Sequence, residues 1–317
     1  MGMVLMCKNR MVYNIDTEQV YNRALLPGYM AGIQDNYTFK EWLKLRYSSN
    51  TNSLARQLKG ITFGQGNRAR INKETMALSL SDSYWIKNVD DPILFEQCSP
   101  YLNRFWAGEG KYEAGLSIPT LYTNGYLNKE WVNEDILVKY GDSTIIEYEC
   151  SRLCSLAGIP CAEIKLLPNN SGIAISNITN SDYMLESADM SGRLDPDDFN
   201  NETIIKLFGI DGLNMLLVDA VFANGDRHAG NFGWLRNTNT GQYISMAPLY
   251  DFDHALDSKL SHDMLISDFI DTVKNWCNAS IITDIRNKLN IIINNTTNEI
   301  FKMRANNILM GVGMTKY

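Results

Sequence analysis

The sequence contains no apolar run approaching the roughly 20 residues that a bilayer-spanning helix requires. Its most apolar stretch, Met215–Ala223, is interrupted by Asp219. The first residues also lack the small-residue cleavage site of a secretory signal, so we expect a cytoplasmic protein without a membrane span. In that reducing compartment all six cysteines should be free thiols: Cys7, Cys98, Cys150, Cys154, Cys161 and Cys277.

A surplus of basic residues is also absent. Lysine and arginine total 29 against 36 aspartates and glutamates, which gives a formal net charge of -7 and argues against bulk nucleic-acid binding. No Cys-X-X-Cys pair occurs, and none of the three histidines lies near Cys150, Cys154 and Cys161 in sequence. Buried apolar thiols therefore explain these cysteines better than a zinc site does.

The composition is otherwise that of a folded globular protein, with 45% hydrophobic and 21% charged residues. A chain of 317 residues usually forms more than one core, so we expect two lobes with a ligand cleft between them. The run Ile136–Tyr140 predicts a strand, and apolar residues at helical spacing predict a helix over Ile146–Ala157. Further strands are predicted at 162–167 and 172–178.

The second half of the sequence is mainly helical in its periodicity. A helical region is predicted from Glu202 to Asn224, a hairpin over 232–247, and mostly amphipathic helix over 265–309. This pattern predicts an α+β fold with a β-rich N-lobe and a mainly α-helical C-lobe. We divide the chain into an N-terminal extension at 1–75, an N-lobe at 76–180 and a C-lobe at 181–317.

The densest group of chemically capable side chains lies in Asn224–Asn231, a predicted loop between a buried helix and the hairpin. Beyond the hairpin, the chain continues as Leu249-Tyr250-Asp251-Phe252-Asp253-His254. Phosphoryl transfer needs one carboxylate to accept a hydroxyl proton, together with amide and carboxylate oxygens that hold Mg²⁺ against the phosphates. Asp226, Asn231 and Asp251 provide those three groups.

A cation for the nucleotide phosphates is available upstream. Lys139 lies on a predicted strand just before the helix that carries Glu147, and protein kinases pair a strand lysine with a helix glutamate in this way. The turn Thr123-Asn124-Gly125 precedes the lysine strand and is a candidate phosphate-covering loop, although the same sequence is typical of an ordinary hairpin turn. The residues thus predict a phosphotransferase that uses ATP and Mg²⁺.

The order Asp226-Arg227-His228-X-X-Asn231, followed by Tyr250-Asp251, resembles the HipA-like kinase family, serine/threonine kinases of the persister-toxin type. Ser79–Trp85, the Thr123-Asn124-Gly125 turn and the helix Glu147–Ile159 extend the similarity, which covers residues 75–260 approximately. The resemblance implies a two-lobed protein-kinase-like fold with ATP and Mg²⁺ in the cleft, and transfer of the γ-phosphate to a protein hydroxyl. An antitoxin or other regulatory protein is an implied partner.

Carried over by motif, the resemblance implies a role for each matching residue. Asp226 would be the catalytic base, Asn231 and Asp251 the metal ligands, Lys139 the nucleotide lysine and His228 a loop-orienting residue. Each of them also has a structural alternative, such as a helix cap or a turn. Asp253 fits a second metal ligand or a turn equally well, and we expect Asp219 to bind backbone N–H groups of the loop.

The same sequence strings resemble phosphoinositide kinases, in which Asp-Phe-Gly follows a Gly-Asp-Arg-His-X-X-Asn loop. Here Asp253 replaces that glycine, and Lys259 is the only lysine or arginine between residues 253 and 271, which is too little positive charge for a lipid kinase. A nucleotide-binding pseudokinase or scaffold is a second alternative. A small-molecule phosphotransferase of the aminoglycoside type is a third, with an acidic pocket formed by Asp195, Asp197, Asp198 and Glu202.

The phosphate acceptor stays open at this stage. No Ala-Pro-Glu segment follows Asp251, so the usual eukaryotic peptide-docking segment is absent. Autophosphorylation at Thr120, Thr123 or Ser143 is equally undecided. Residues 1–75 lie outside the kinase-like segment, and we expect them to form a module that binds a protein partner.

Overall fold

The computed structural model describes residues 2–45, 76–99, 128–195, 198–256 and 262–313. Two compact units are formed from these segments. The first unit comprises Met1–Tyr140, Ser176–Arg193 and Gly233–Ser245, and the second comprises Gly141–Ile175, Leu194–Phe232 and Met246–Tyr317. Each unit therefore combines segments that are distant in sequence, and this division differs from the predicted boundaries at residues 75 and 180.

A three-stranded antiparallel sheet opens the first unit. Strand β1 (Met3–Cys7) lies between β2 (Arg10–Asn14) and β3 (Tyr84–Asn88). Because alternate side chains of a strand point to opposite faces, the apolar β1 packs against two cores, with Leu5 on one side and Val4 on the other. Residues from both sides of position 75 thus share one sheet.

Two helices accompany this sheet, α1 (Asn36–Leu45) and the short α2 (Phe95–Cys98). Phe39 and Trp42 of α1 stand three positions apart and enter the same core, where the Trp42 ring meets the Tyr84 ring edge-on at 5.5 Å between centroids.

The described part of the first unit contains further strands. Strand β4 (Asn128–Asn133) pairs with β5 (Ile136–Tyr140), whose bounds are those predicted from the sequence. A second sheet contains β8 (Tyr183–Ser187), β9 (Gly233–Asn237) and β10 (Tyr243–Met246), with β9 in the middle. The predicted hairpin over 232–247 corresponds to β9 and β10.

A buried polar network connects this sheet to the N-terminal residues of the same unit. Glu186 accepts hydrogen bonds from the Gly28 N–H at 2.6 Å and from the Tyr243 hydroxyl at 2.5 Å. Arg236 binds Glu186 and donates to the Ala24 carbonyl at 2.6 Å. Ala24 and Gly28 are therefore hydrogen-bonded to strands that come much later in sequence.

The second unit is mainly helical. Helix α3 (Thr144–Leu156) precedes the antiparallel strands β6 (Ile164–Leu166) and β7 (Ile173–Ser176). In the described residues that follow there are five α-helices: α4 (Asn201–Phe208), α5 (Ile210–Phe222), α6 (His262–Trp276), α7 (Ala279–Asn295) and α8 (Glu299–Gly313).

Helix α5 lies in the core of this unit, with ten of its thirteen residues buried. The sequence predicted one helical region from residue 202, but Gly209 divides it into α4 and α5. The cause is its backbone conformation, φ 59° and ψ -128°, which interrupts the helix and is accessible essentially only to glycine. Among the helices of the described segments, none has both the length and the apolar character of a membrane span.

Candidate active site

The loop that carries Asp226 begins where helix α5 ends. Ala223 adopts a left-handed conformation (φ 54°) after Phe222, and the Asn224 N–H donates back to the Asp219 carbonyl at 3.0 Å. Arg304 of α8, itself buried, donates two hydrogen bonds to the Ala220 carbonyl, at 2.9 and 2.6 Å. These contacts satisfy carbonyls that the end of a helix leaves without partners, and they fix the point from which the loop starts.

Within the loop, Asn231 holds the backbone together. Its buried side-chain oxygen accepts the His228 N–H at 3.1 Å, and its amide nitrogen donates to the Asp226 carbonyl at 3.2 Å. The His228 imidazole accepts the Gly230 N–H through Nδ1 at 3.0 Å, and its loop-orienting role stays a prediction. The Asp226 side chain is 54% exposed to solvent.

Asp219 and Arg227 form a buried, bidentate ion pair beneath this loop. The Arg227 Nε and NH2 atoms donate to the two Asp219 carboxylate oxygens at 2.9 and 2.8 Å, and both side chains are only 6% exposed. Burial opposes the charge on Arg227, but the charge and hydrogen bonds of Asp219, together with Asp251 and Tyr250, outweigh burial and raise the pKa of Arg227. The Asn224 amide also donates to Asp219, at 2.9 Å.

The expectation that the Asp219 side chain binds backbone N–H groups of the loop was therefore wrong. Its carboxylate binds the side chains of Arg227 and Asn224, because a buried carboxylate is stabilised best by a charged, bidentate donor. Sequence reasoning gave Arg227 no role. The available signal was an aspartate inside an apolar helix, which calls for a buried cation nearby.

Arg227 also connects the loop to the segment that contains Asp251. One guanidinium nitrogen, NH1, donates both to the Asn231 carbonyl at 3.1 Å and to the Tyr250 carbonyl at 2.9 Å. One nitrogen of Arg227 thus binds the carbonyl of Asn231, a predicted metal ligand, and the carbonyl of the residue directly before Asp251. The Phe252 ring lies under the guanidinium, with 5.0 Å between Arg227 Cζ and the ring centroid.

The segment from Leu249 to Leu256 is fixed at several further points. Leu249 forms a parallel bridge with Cys161, and Phe252 is fully buried against Phe222. Asp251 has a positive φ of 63°, which aspartate tolerates better than most residues do. The structure therefore holds Asp251 in a defined and unusual backbone conformation beside Arg227.

His254 was not among the predicted site residues, yet the structure brings it to Asp226. Its Nε2 atom lies 3.7 Å from Asp226 Oδ2 and 3.9 Å from Asp253 Oδ1. The Asp253 carboxylate, whose role the sequence left open, thus shares an imidazole with the predicted base. The Asp226 and Asp253 carboxylates beside His254 make the electrostatic potential around this histidine negative.

The two nucleotide-binding candidates Lys139 and Glu147 are both buried. Lys139 lies on β5 in the first unit, and Glu147 lies in the first turn of α3 in the second unit. Their pairing stays a prediction. The candidate phosphate-covering turn, Thr123-Asn124-Gly125, lies outside the described residues.

The donor chemistry at Asn231 and Asp251 fits magnesium. Both offer hard oxygen ligands, and an amide oxygen that accepts one hydrogen bond keeps a second lone pair. In the described segments no three His, Cys, Asp or Glu side chains converge as a metal site. Mg²⁺ usually takes one or two protein ligands and completes its shell with phosphate and water, so this ligand pair fits a nucleotide-bound ion better than a structural one.

Comparisons with known proteins support the fold. No protein-family model matches the sequence, and no curated protein matches it. A chain from the complex of the Shewanella oneidensis MR-1 toxin–antitoxin proteins HipA and HipB with operator DNA aligns over 98% of this chain and 96% of its own length. Its TM-score is 0.60, at 11% identity. The Helicobacter pylori proinflammatory kinase CtkA aligns over 60% of this chain and 90% of its own, with a TM-score of 0.41 and 19% identity.

The likeness to the HipA complex chain extends over nearly the whole protein and confirms the predicted α+β fold. At this level of identity the comparison concerns the fold. The chemistry of the site depends on the residues described above.

Proposed function

We propose that this protein is a HipA-like kinase, a phosphotransferase that uses ATP with Mg²⁺ and transfers the γ-phosphate to a protein hydroxyl. The observation that carries the proposal is the position of Arg227, whose NH1 atom binds the carbonyls of Asn231 and Tyr250. It joins the loop of the proposed base to the segment of the proposed metal ligand. A binding module without catalysis has no need of that arrangement.

In the proposed reaction each residue has one task. An Asp226 carboxylate oxygen takes the proton of the acceptor hydroxyl as the hydroxyl oxygen attacks the γ-phosphorus and ADP leaves. Asn231 and Asp251 would hold Mg²⁺, which neutralises phosphate charge when it is bound. Lys139 would bind the α- and β-phosphates, with Glu147 orienting it. The Asp219–Arg227 ion pair would hold the loop of Asp226 and the segment of Asp251 in fixed positions relative to each other.

The partners follow from the same proposal. The fold neighbour was solved together with HipB, which supports a regulatory protein partner for this chain as well. The acceptor would be a serine or threonine hydroxyl, either of another protein or of this chain. Native gel filtration of the protein from its source cells, followed by mass spectrometry of the co-eluting chains, tests whether a regulatory partner accompanies it.

The decisive experiment measures phosphate transfer by intact-mass spectrometry and with radiolabelled ATP. The full-length protein is incubated with Mg-ATP, alone and with myelin basic protein as a generic acceptor. Asp226→Asn should lower transfer by about 10²–10⁴-fold, the usual contribution of a general base. Because Asp226 is largely exposed, this variant should fold normally.

Asp271→Asn is the matched control, since it makes the same chemical change at an exposed site on α6. Transfer by wild type and by this control, with loss in Asp226→Asn, supports the proposal. If wild type binds Mg-ATP but labels neither itself nor the added protein, the pseudokinase alternative replaces it. ATP consumption that rises only with an aminoglycoside or a phosphoinositide would assign a different acceptor.

A further inference from the structure

The Tyr250 side chain forms a second connection between the two segments of the candidate active site. Its hydroxyl donates a hydrogen bond to the Gly230 carbonyl at 3.3 Å. Gly230 directly precedes Asn231, and Tyr250 directly precedes Asp251. The bond therefore joins the two residues that stand before the proposed metal ligands, although the proposed reaction assigns no task to this hydroxyl.

Tyr250 is bonded to the loop through its main chain as well as through its side chain. Its carbonyl accepts a hydrogen bond from Arg227 NH1 at 2.9 Å, and the same nitrogen binds the Asn231 carbonyl at 3.1 Å. All these residues belong to the second unit. Because the segment of Asp251 is attached at two points, it is prevented from a rotation that one attachment would permit.

On the loop side, the hydroxyl binds a residue that is itself held in place. The Gly230 N–H donates to His228 Nδ1 at 3.0 Å, and the Asn231 N–H donates to the His228 carbonyl at 3.0 Å. The backbone on both sides of the Gly230 carbonyl is thus already hydrogen-bonded. A bond to this carbonyl therefore fixes the position of Asn231 relative to Tyr250.

On the other side, the conformation of Asp251 depends on its neighbours. Its φ of 63° lies in the left-handed region, which a residue other than glycine keeps only where the surrounding structure fixes it. Phe252, which follows, is fully buried, and Tyr250, which precedes, is bonded to the loop. The Tyr250 hydroxyl is thus one of the points that hold Asp251.

We propose that Tyr250 is a positioning residue whose hydroxyl sets the spacing of Asn231 and Asp251 and thereby favours Mg²⁺ over Ca²⁺. The inference rests on the proposed function, in which these two residues hold the metal. Mg²⁺ requires nearly octahedral geometry with ligands at about 2.0–2.1 Å, whereas Ca²⁺ accepts oxygen ligands at about 2.3–2.6 Å in flexible arrangements. A ligand pair whose spacing can vary therefore loses more affinity for Mg²⁺ than for Ca²⁺.

The first experiment compares the two metals on one variant. Tyr250→Phe removes the hydroxyl and keeps the ring. Isothermal titration calorimetry measures the Kd of the non-hydrolysable analogue AMP-PNP for the full-length protein, in saturating Mg²⁺ and in saturating Ca²⁺. We expect Tyr250→Phe to raise the Kd of the Mg²⁺ complex by about 3–10-fold, the effect of one lost hydrogen bond, and that of the Ca²⁺ complex by less than about twofold.

Tyr37→Phe is the matched control, because it makes the same chemical change at a tyrosine of α1 that is 72% exposed. It should bind both metal complexes as wild type does. A general loss of stability would affect both complexes of a variant together. The ratio of the two Kd values therefore reports the position of the ligands and not the stability of the protein.

The second experiment needs neither metal nor nucleotide. Hydrogen–deuterium exchange of the free protein measures how often the hydrogen bonds of the loop open. In Tyr250→Phe we expect the amides of loop 224–231 to exchange about 3–10-fold faster than in wild type, with no change in helix α5. Tyr37→Phe should leave the exchange of the loop unchanged.

The outcomes separate this inference from the proposed function. If wild type binds neither metal complex of AMP-PNP, the proposed function and the inference are both wrong. If wild type binds the Mg²⁺ complex but Tyr250→Phe changes both Kd values equally or not at all, the inference alone is wrong. Unchanged exchange of the loop in Tyr250→Phe would also overturn it. A selective loss of Mg²⁺ affinity together with faster exchange supports it.

Discussion

The Arg227 side chain contacts both segments of the candidate active site. Its guanidinium uses separate nitrogens for the Asp219 carboxylate and for the Asn231 and Tyr250 carbonyls. A lysine at this position would present one point charge, without the planar fork that matches a carboxylate. The geometry of the site therefore depends on arginine itself.

Removing Asp219 should be strongly destabilising, because it leaves the Arg227 charge buried without its partner. Asp219→Ala should lower the free energy of unfolding by about 3–5 kcal/mol, measured by urea denaturation. The control is Glu202→Ala, which removes the exposed partner of Lys206 and should cost at most about 1 kcal/mol. Equal losses in the two variants would contradict a specific role for the buried pair.

At the scale of elements, the junction between α4 and α5 determines where the buried helix begins. Gly209 lies there with a positive φ, and an added Cβ would meet no atom within 4 Å. Any cost of a side chain at this position therefore comes from the backbone conformation and not from a clash.

Gly209→Ala should therefore destabilise the protein by about 1–3 kcal/mol, the cost of a strained backbone conformation. Gly32→Ala is the matched control, since Gly32 has equal space and no positive φ, and it should be neutral or slightly stabilising. Thermal and urea unfolding of the two variants give the comparison. A neutral Gly209→Ala would mean that the junction adopts another conformation.

At the scale of the whole molecule, ligand binding should be visible as added stability. If the proposed function holds, Mg-ATP analogues bind the folded chain and raise its free energy of unfolding, by about 2.7 kcal/mol at 100 times the Kd. Most of this gain should need Mg²⁺, because the metal connects the phosphates to Asn231 and Asp251. Differential scanning fluorimetry with a non-hydrolysable ATP analogue, with and without Mg²⁺, measures it.

Asp251→Asn should remove the part of that stabilisation that depends on magnesium, since a carboxylate oxygen is replaced by a neutral amide. Asp271→Asn serves again as the control and should behave as wild type. A full Mg²⁺-dependent shift in Asp251→Asn would place the metal elsewhere.

Much of the second unit follows from local sequence pattern. Helix α3 and the helices from α6 to α8 have apolar residues at helical spacing. In the first unit, β5 is likewise a short apolar run that ends at a Gly-Asp-Ser turn. Such signals lie within a few residues of one another, so they are readable before any tertiary contact is known. The loop 224–231 and the Asp251 segment were found in the same way, from residue type and spacing.

The tertiary structure alone decided which distant residues meet. Several contacts join residues whose local sequence is compatible with many partners. They are the pairing of β1 with β3, the Asp219–Arg227 ion pair and the approach of His254 to Asp226. Sequence determined the elements and the reactive groups of this protein, because period and residue type are local properties. Tertiary packing determined which of these elements and groups contact one another, because buried charges find counter-charges and apolar faces are covered only when the whole chain is folded.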